Sequence, residues 1–159
     1  MQKGARIRYG SAAPEAYKAL REMQAYVDRL GFPKNLIELV KIRASQINGC
    51  AYCLDMHTKD ALALGETEQR ILLLDAWRES PFYSEKERAA LEWTEALTLV
   101  SQNHVPDEVY ETVRRHFGEK ELVELSIAIL AINAWNRMSI AFRHPSPGSY
   151  APKNVAREG

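Results

Sequence analysis

The sequence predicts an all-α fold, a single domain built as a bundle of about six or seven helices. Three observations predict it. No long run alternates apolar with polar residues, so the pattern of a half-buried strand is missing from the chain. Glycines and prolines fall between long segments whose apolar residues recur at steps of three and four. And 159 residues suit one domain, a length that buries roughly 70% of the surface the unfolded chain exposes, so no covalent staple is needed.

The helices follow in order. "PEAYKALREMQAYVDRLGFP" opens with Pro14 in a first-turn position and stops at Gly31 and Pro33. Its Ala16, Leu20, Met23, Val27 and Leu30 mark one buried stripe. "KNLIELVKIRASQI" repeats the pattern through Leu36, Leu39, Val40 and Ile47, and Asn48-Gly49 is a stop and turn signal. A third helix opens around Cys50 and ends at Gly65, whose missing Cβ suits a left-handed cap. "TEQRILLLDAWRE" follows, with Thr67 as N-cap. "SEKERAALEWTEALTLVSQN" begins with Ser84 and Glu87, the pair of a reciprocal capping box. "DEVYETVRRHFG" is short and amphipathic, with Gly118 as its stop. "ELVELSIAILAINAWNRMSIAFRH" is the longest and most apolar, and belongs at the bundle centre or at a subunit interface. From Pro145 the chain carries Pro, Gly and Ser, and residues 145–159 are expected to form a flexible, poorly packed tail.

Charge narrows the function classes. Lys plus Arg and Asp plus Glu are both 21, so there is no basic field to draw phosphates, and nucleic acid is not an expected partner. The low net charge does little to oppose self-association. The N-terminal "MQKGARIRYG" has no apolar segment behind it, so no signal peptide is expected. The apolar run "LSIAILAINAW", Leu125 to Trp135, is too short to cross a bilayer and contains Asn133. A cytoplasmic protein without a membrane partner is the expectation, and in that compartment two cysteines are not a disulfide scaffold.

Both cysteines lie in "NGCAYCLDMH", Asn48 to His57. If a helix starts near Cys50, steps of three and four put Cys50, Cys53 and His57 on one face. Cys50 then sits among unpaired N–H groups at the positive end of the helix dipole, where a thiol loses its proton more easily. Cys53 and His57, one turn apart, can meet, so the imidazole can take or relay a thiol proton. A CxxC pair can close to a disulfide across one turn, and Gly49 lets a substrate approach the backbone closely. Two buried bystander thiols are the bland alternative; His57 at the matched position favours chemistry. A structural zinc on Cys50, Cys53 and His57 would need a fourth ligand, and no second CxxC or HxxxH occurs. No metal is expected.

The remaining candidates have ordinary explanations. His104 is expected at the surface or in a cap, His116 in a last helical turn, and His144 at the surface or an interface. Trp77, Trp93 and Trp135 occupy core-like positions. Asn133 and Asn136, polar residues in the most apolar helix, should hydrogen-bond inside the core or across a subunit contact.

"ELVKIRASQINGCAYCLDMH" resembles the core of the alkyl hydroperoxidase D-like (AhpD-like) group within the carboxymuconolactone decarboxylase family. The motif is a Glu followed by R-x-S-x-x-N-x-C-x-x-C-x-x-x-H. Glu38, Arg43, Ser45, Asn48, Cys50, Cys53 and His57 fill it, with Glu38 50 − 38 = 12 residues before Cys50. "AINAWNRMSIAFR" is similar to the closing helix of single-domain members. The resemblance covers roughly residues 14–144, leaving 1–13 as an N-terminal arm. It implies an all-α fold assembled as trimers or hexamers, and reduction of hydroperoxides by a thiol cycle. By analogy Cys53 attacks the peroxide, Cys50 resolves the sulfenic acid to a disulfide, and His57 with Glu38 forms the proton relay. Arg43, Ser45, Asn48 and Tyr52 are supporting positions. The resemblance implies no bound cofactor; an external dithiol such as a lipoyl group, or a small redox protein, regenerates the thiols.

On residue physics alone the attacking sulfur stays open, since the helix terminus favours Cys50 and adjacency to His57 favours Cys53. Tyr52 departs from members that carry a histidine between the cysteines, which removes one proton carrier. The decarboxylase branch generally lacks the cysteine pair. Two other functions remain in view: a non-enzymatic redox sensor or interaction module whose disulfide alters assembly, and a cofactor-free lyase acting on a small lactone or keto acid.

Overall fold

The computed structural model describes residues 4–152. Among them are nine α-helices, one 3-10 turn and no strand. In order they are α1 (Tyr9–Ala12), α2 (Pro14–Val27), α3 (Lys34–Asn48), α4 (Ala51–Ala63), α5 (Glu68–Leu72), the 3-10 turn (Leu74–Ala76), α6 (Glu85–Thr98), α7 (Val100–Asn103), α8 (Asp107–Arg114) and α9 (Glu119–Phe142). All seven expected segments are helical. The two extra helices are α1, within the N-terminal arm, and α7, cut from the end of α6 by a break at Leu99. The side-chain amide of Asn103 folds back onto the carbonyls of Ala96 and Leu99, taking up acceptors that the break leaves open.

Local signals placed most of the ends. Pro14 begins α2, and the Thr67 hydroxyl caps α5 by accepting from the Arg70 N–H. Ser84 and Glu87 close the capping box of α6 from both sides. Gly65 has φ +89°, the left-handed value expected after α4. Gly118 differs from expectation: it starts α9 and does not stop α8. Its N–H donates to the Glu121 carboxylate at 2.9 Å, which draws the start of α9 back to Glu119. α2 ends at Val27, short of Gly31, and of its stripe Val27 alone is fully buried while Ala16 is exposed.

α3 is the innermost element, packed against α4, α6 and α9. Every residue from Leu36 to Ile42 is buried. Leu39 and Ile42 meet Leu74, Trp77 and Leu91 on one side; Ile37 and Val40 meet Ala90, Trp93, Leu125 and Ile129 on another. Burial of such side chains contributes about 1.5–3 kcal/mol each. The third face carries Glu38, Lys41, Ser45 and Asn48, at steps of three and four. A helix buried along its middle, with one polar face, is a means of holding polar groups still.

α9 is long and apolar enough to cross a membrane by length and composition. In the fold its Leu122, Leu125, Ala128, Ile129 and Ile132 pack into the core, while Val123, Leu130 and Ile140 are exposed. Asn133 and Asn136 point inward. Asn48 donates to both of their side-chain oxygens, at 3.0 and 2.9 Å, and Asn136 donates to Ser45 Oγ at 3.0 Å. These bonds satisfy amides in the most apolar helix and pin the end of α3 to α9. After α9, residues expected to form a flexible tail lie against α4. The Gly148 N–H donates to Asp55, the Tyr150 carbonyl accepts from Lys59, and the Tyr150 hydroxyl donates to Asp60. Residues 1–3 of the arm and 153–159 of the tail lie outside the described residues.

Candidate functional site

The site is built on the junction of α3 and α4. Gly49, with φ +69°, turns the chain after α3, and the N–H groups of Gly49 and Cys50 close onto carbonyls of that helix. Cys50 emerges as the N-cap of α4, its sulfur accepting from the Cys53 N–H at 3.4 Å. Cys50 and Cys53 form a disulfide. Each is 1% exposed, so any reactant must enter a cavity to reach them.

His57 lies one turn beyond Cys53. Its Nδ1 is 2.8 Å from Glu38 Oε2, and Lys41 Nζ donates to Glu38 Oε1 at 2.8 Å. All three side chains are buried. Burial pushes the Glu38 carboxyl up, but the hydrogen bonds and charges of His57 and Lys41 outweigh it and hold the group below its ordinary value. Glu38 is therefore an anion at neutral pH, and it fixes the ring so that Nε2 is the nitrogen left for proton traffic. Cys53, His57 and Lys41 line one cavity of about 370 Å³, together with Tyr52, Trp135, Asp60 and others.

Ser45 and Asn48 sit behind the disulfide in the amide network that joins α3 to α9; they hold the frame and do not line that cavity. Arg43 points away. It binds Glu95 of α6 at 2.8 Å, Gln46 and Asp75, within a cluster that also takes in Trp77 and Arg78. Tyr52 is half-buried and lines the cavity; burial, then the charges of Asp55, Tyr17 and Asp60, push its phenol up. Trp135, expected in the core, is half-buried and lines the cavity too, its indole N–H held by Gln24.

Three residues were missed by the sequence reading. Lys41 was findable, since three positions after Glu38 it faces the same way on a helix. Asp60, one turn after His57, had a similar signal. Tyr150 had none, because its place depends on how the chain beyond α9 folds back. Glu38, His57 and Asp60 bring possible cation ligands within 4.8 Å of one another. Both Glu38 oxygens are already engaged by Lys41 and His57, so the donor set suits proton transfer better than a cation.

A family model described as the carboxymuconolactone decarboxylase family matches residues 14–96. The uncharacterized protein YdfG of Bacillus subtilis is 50% identical over 136 residues, 86% of this chain and 92% of that protein. A crystal structure of a protein of unknown function from Agrobacterium tumefaciens, proposed to be an antioxidant defence protein AhpD, superposes with a TM-score of 0.86 at 45% identity. It covers 94% of this chain and 99% of that one. The debrominase Bmp8 shares the fold, with a TM-score of 0.72 at 23% identity, over 84% of this chain and 72% of its own.

Proposed function

The chain belongs to the carboxymuconolactone decarboxylase family and is AhpD-like, and on that footing we propose that it is a thiol-dependent hydroperoxide reductase. The observation that carries the reading is the Cys50–Cys53 disulfide lying next to a buried His57–Glu38–Lys41 chain, with Cys53 and His57 in one cavity. A proton acceptor beside a thiol is what peroxide reduction needs, because the thiolate is the reactive form.

In the proposed cycle the reduced enzyme gives the Cys53 proton to His57, whose positive charge Glu38 offsets. The Cys53 thiolate attacks a peroxide oxygen, the O–O bond breaks, and the departing alkoxide takes the proton from His57. Cys53 is now a sulfenic acid and the alcohol is free. The Cys50 thiolate attacks that sulfur and hydroxide leaves as water, giving the disulfide. An external dithiol then returns two electrons and two protons, itself becoming a disulfide. A lipoyl group or a small redox protein fits that part, and neither a resident cofactor nor a metal enters the cycle.

The same reading takes the protein as cytoplasmic, where thiols are kept reduced, and as a homo-oligomer, a trimer or hexamer. The exposed Val123 and Leu130 of α9 support self-association. In a steady-state assay with several peroxides and a dithiol donor, Cys53→Ser should abolish peroxide-dependent oxidation of the donor. Unchanged turnover in that variant would overturn the proposal. Negligible turnover in the wild type, with a change of oligomeric mass on oxidation, would instead identify a redox sensor.

A further inference from the structure

The two cysteines face different cavities. Cys53 lines the space of about 370 Å³ already described, which does not touch Cys50. Cys50 lines a separate space of about 340 Å³, which does not touch Cys53. Tyr52 and Ser139 border both and form the partition between them.

The two spaces also differ in chemistry. Arg21, Asp28, Lys41, His57 and Asp60 give the Cys53 side several ionisable groups that can move protons. The Cys50 side is bordered by Gly49, Ile140, Pro145 and Pro147, and of its lining residues Arg143 alone carries a charge. We infer that this second cavity is the entry for the reductant, and that it takes a compact dithiol with an apolar stem and an anionic end. The inference rests on the dithiol–disulfide cycle proposed above.

Exchange chemistry favours this division. A thiolate attacking a disulfide bonds to one sulfur and expels the other, and exchange is faster when the expelled thiolate is the better-stabilised one. Attack on Cys50 makes the new S–S bond there, breaks the Cys50–Cys53 bond, and releases the pair of electrons onto Cys53 beside His57. The donor's second thiol, once deprotonated, then attacks the donor sulfur of the mixed disulfide. Cys50 leaves as a thiolate under the Cys53 N–H and takes up a proton, and the donor departs as a cyclic disulfide. The Cys53 thiolate can instead attack the Cys50 sulfur of the mixed disulfide, re-forming the Cys50–Cys53 bond and expelling the donor as a thiolate, so a donor with one thiol is lost before the cycle completes. Peroxide and donor then never contend for one opening, and Arg143 favours a donor that carries a carboxylate.

The reductive half can be tested on the isolated disulfide form, without any peroxide. Ile140→Trp fills the Cys50 cavity from an exposed position, and Ala25→Trp does the same on the Cys53 side. By stopped-flow tryptophan fluorescence, Ile140→Trp should slow reduction by dithiothreitol about tenfold or more and leave oxidation by an aryl hydroperoxide within about twofold. Ala25→Trp should do the reverse, and each variant's retained half-reaction certifies its fold. Wild type should also be reduced faster at low salt by dihydrolipoate than by neutral dihydrolipoamide, a preference that Arg143→Gln removes. Wild-type reduction rates in Ile140→Trp, equal slowing of reduction by both tryptophans, or a donor preference that survives Arg143→Gln would overturn the inference. A reduced enzyme inert to every peroxide would end the peroxidase reading, yet the reduction comparison would still decide this one.

Discussion

Glu38 carries more of the site than either thiol does. It is a buried anion with one oxygen on an ammonium and the other on an imidazole, so its removal leaves Lys41 in the core without a counter-charge. Glu38→Gln should cost on the order of 2 kcal/mol, read as a fall of about 4–8 °C in Tm. Its pH signature has a definite sign. The folded-state pKa lies below the ordinary 4.5, so the unfolded chain binds more protons in the window between the two values. The stability that Glu38 contributes is fully present above about pH 4.5 and is lost as pH falls through the folded value. Thermal melts between pH 7 and pH 3 should therefore show a steeper acid decline in wild type than in Glu38→Gln. Equal slopes would mean that the Glu38 contacts add nothing to stability.

At the scale of elements, the decisive join is the turn from α3 into α4. Gly49 must hold φ +69°, and a Cβ built there would meet nothing within 4 Å, so the demand is one of backbone conformation and not of space. Gly49→Ala should destabilise by about 1–2 kcal/mol, and Gly49→Asn by less, because asparagine tolerates the left-handed region. Melting the three proteins side by side checks the order. The elements also show what was legible in the sequence. Capping residues and apolar spacing located α3, α4, α6 and α9 because those signals are local. Gly118 misled because a glycine ends one helix as readily as it begins the next, and only the Glu121 carboxylate decides between them. The break at Leu99 had no sequence mark. Glu38, Cys50, Cys53 and His57 were legible as a set because all lie within twenty residues on two successive helices.

At the scale of the molecule, a second polar cluster stands apart from the thiols. Arg43 of α3 and Glu95 of α6 meet at 2.8 Å, with Trp77 and Arg78 on the same carboxylate. Burial raises the Glu95 carboxyl, and bonds from Trp77, Arg78 and Arg43 more than offset it, holding the group below its usual range. Glu95→Ala takes one carboxylate from Arg43, which keeps Asp75 and Gln46, and unpairs the Trp77 indole N–H, so it should cost about 2 kcal/mol, near 4–8 °C in Tm. Because Glu95 borders neither thiol cavity, the thiol half-reactions of the folded protein should keep wild-type rates in stopped-flow. A matching loss of thiol reactivity would tie Arg43 to the chemistry instead. That role for Arg43, a brace between helices, was invisible in a motif that lists it beside the cysteines, since its partner lies 52 positions away. Tyr150 was hidden for the same reason: its contact with Asp60 spans 90 positions and exists only once the bundle has closed.

The hold of Tyr150 on α4 has a practical edge. Tyr150 lines the Cys53 cavity, and Pro145 and Pro147 border the one at Cys50. Residues 145–150 thus contribute to the walls of both chambers. A truncation that removes residues 145–150 is therefore not a neutral shortening but an alteration of the reaction vessel, and the opposite arm is no safer to trim, because Tyr9 lines the Cys53 chamber too.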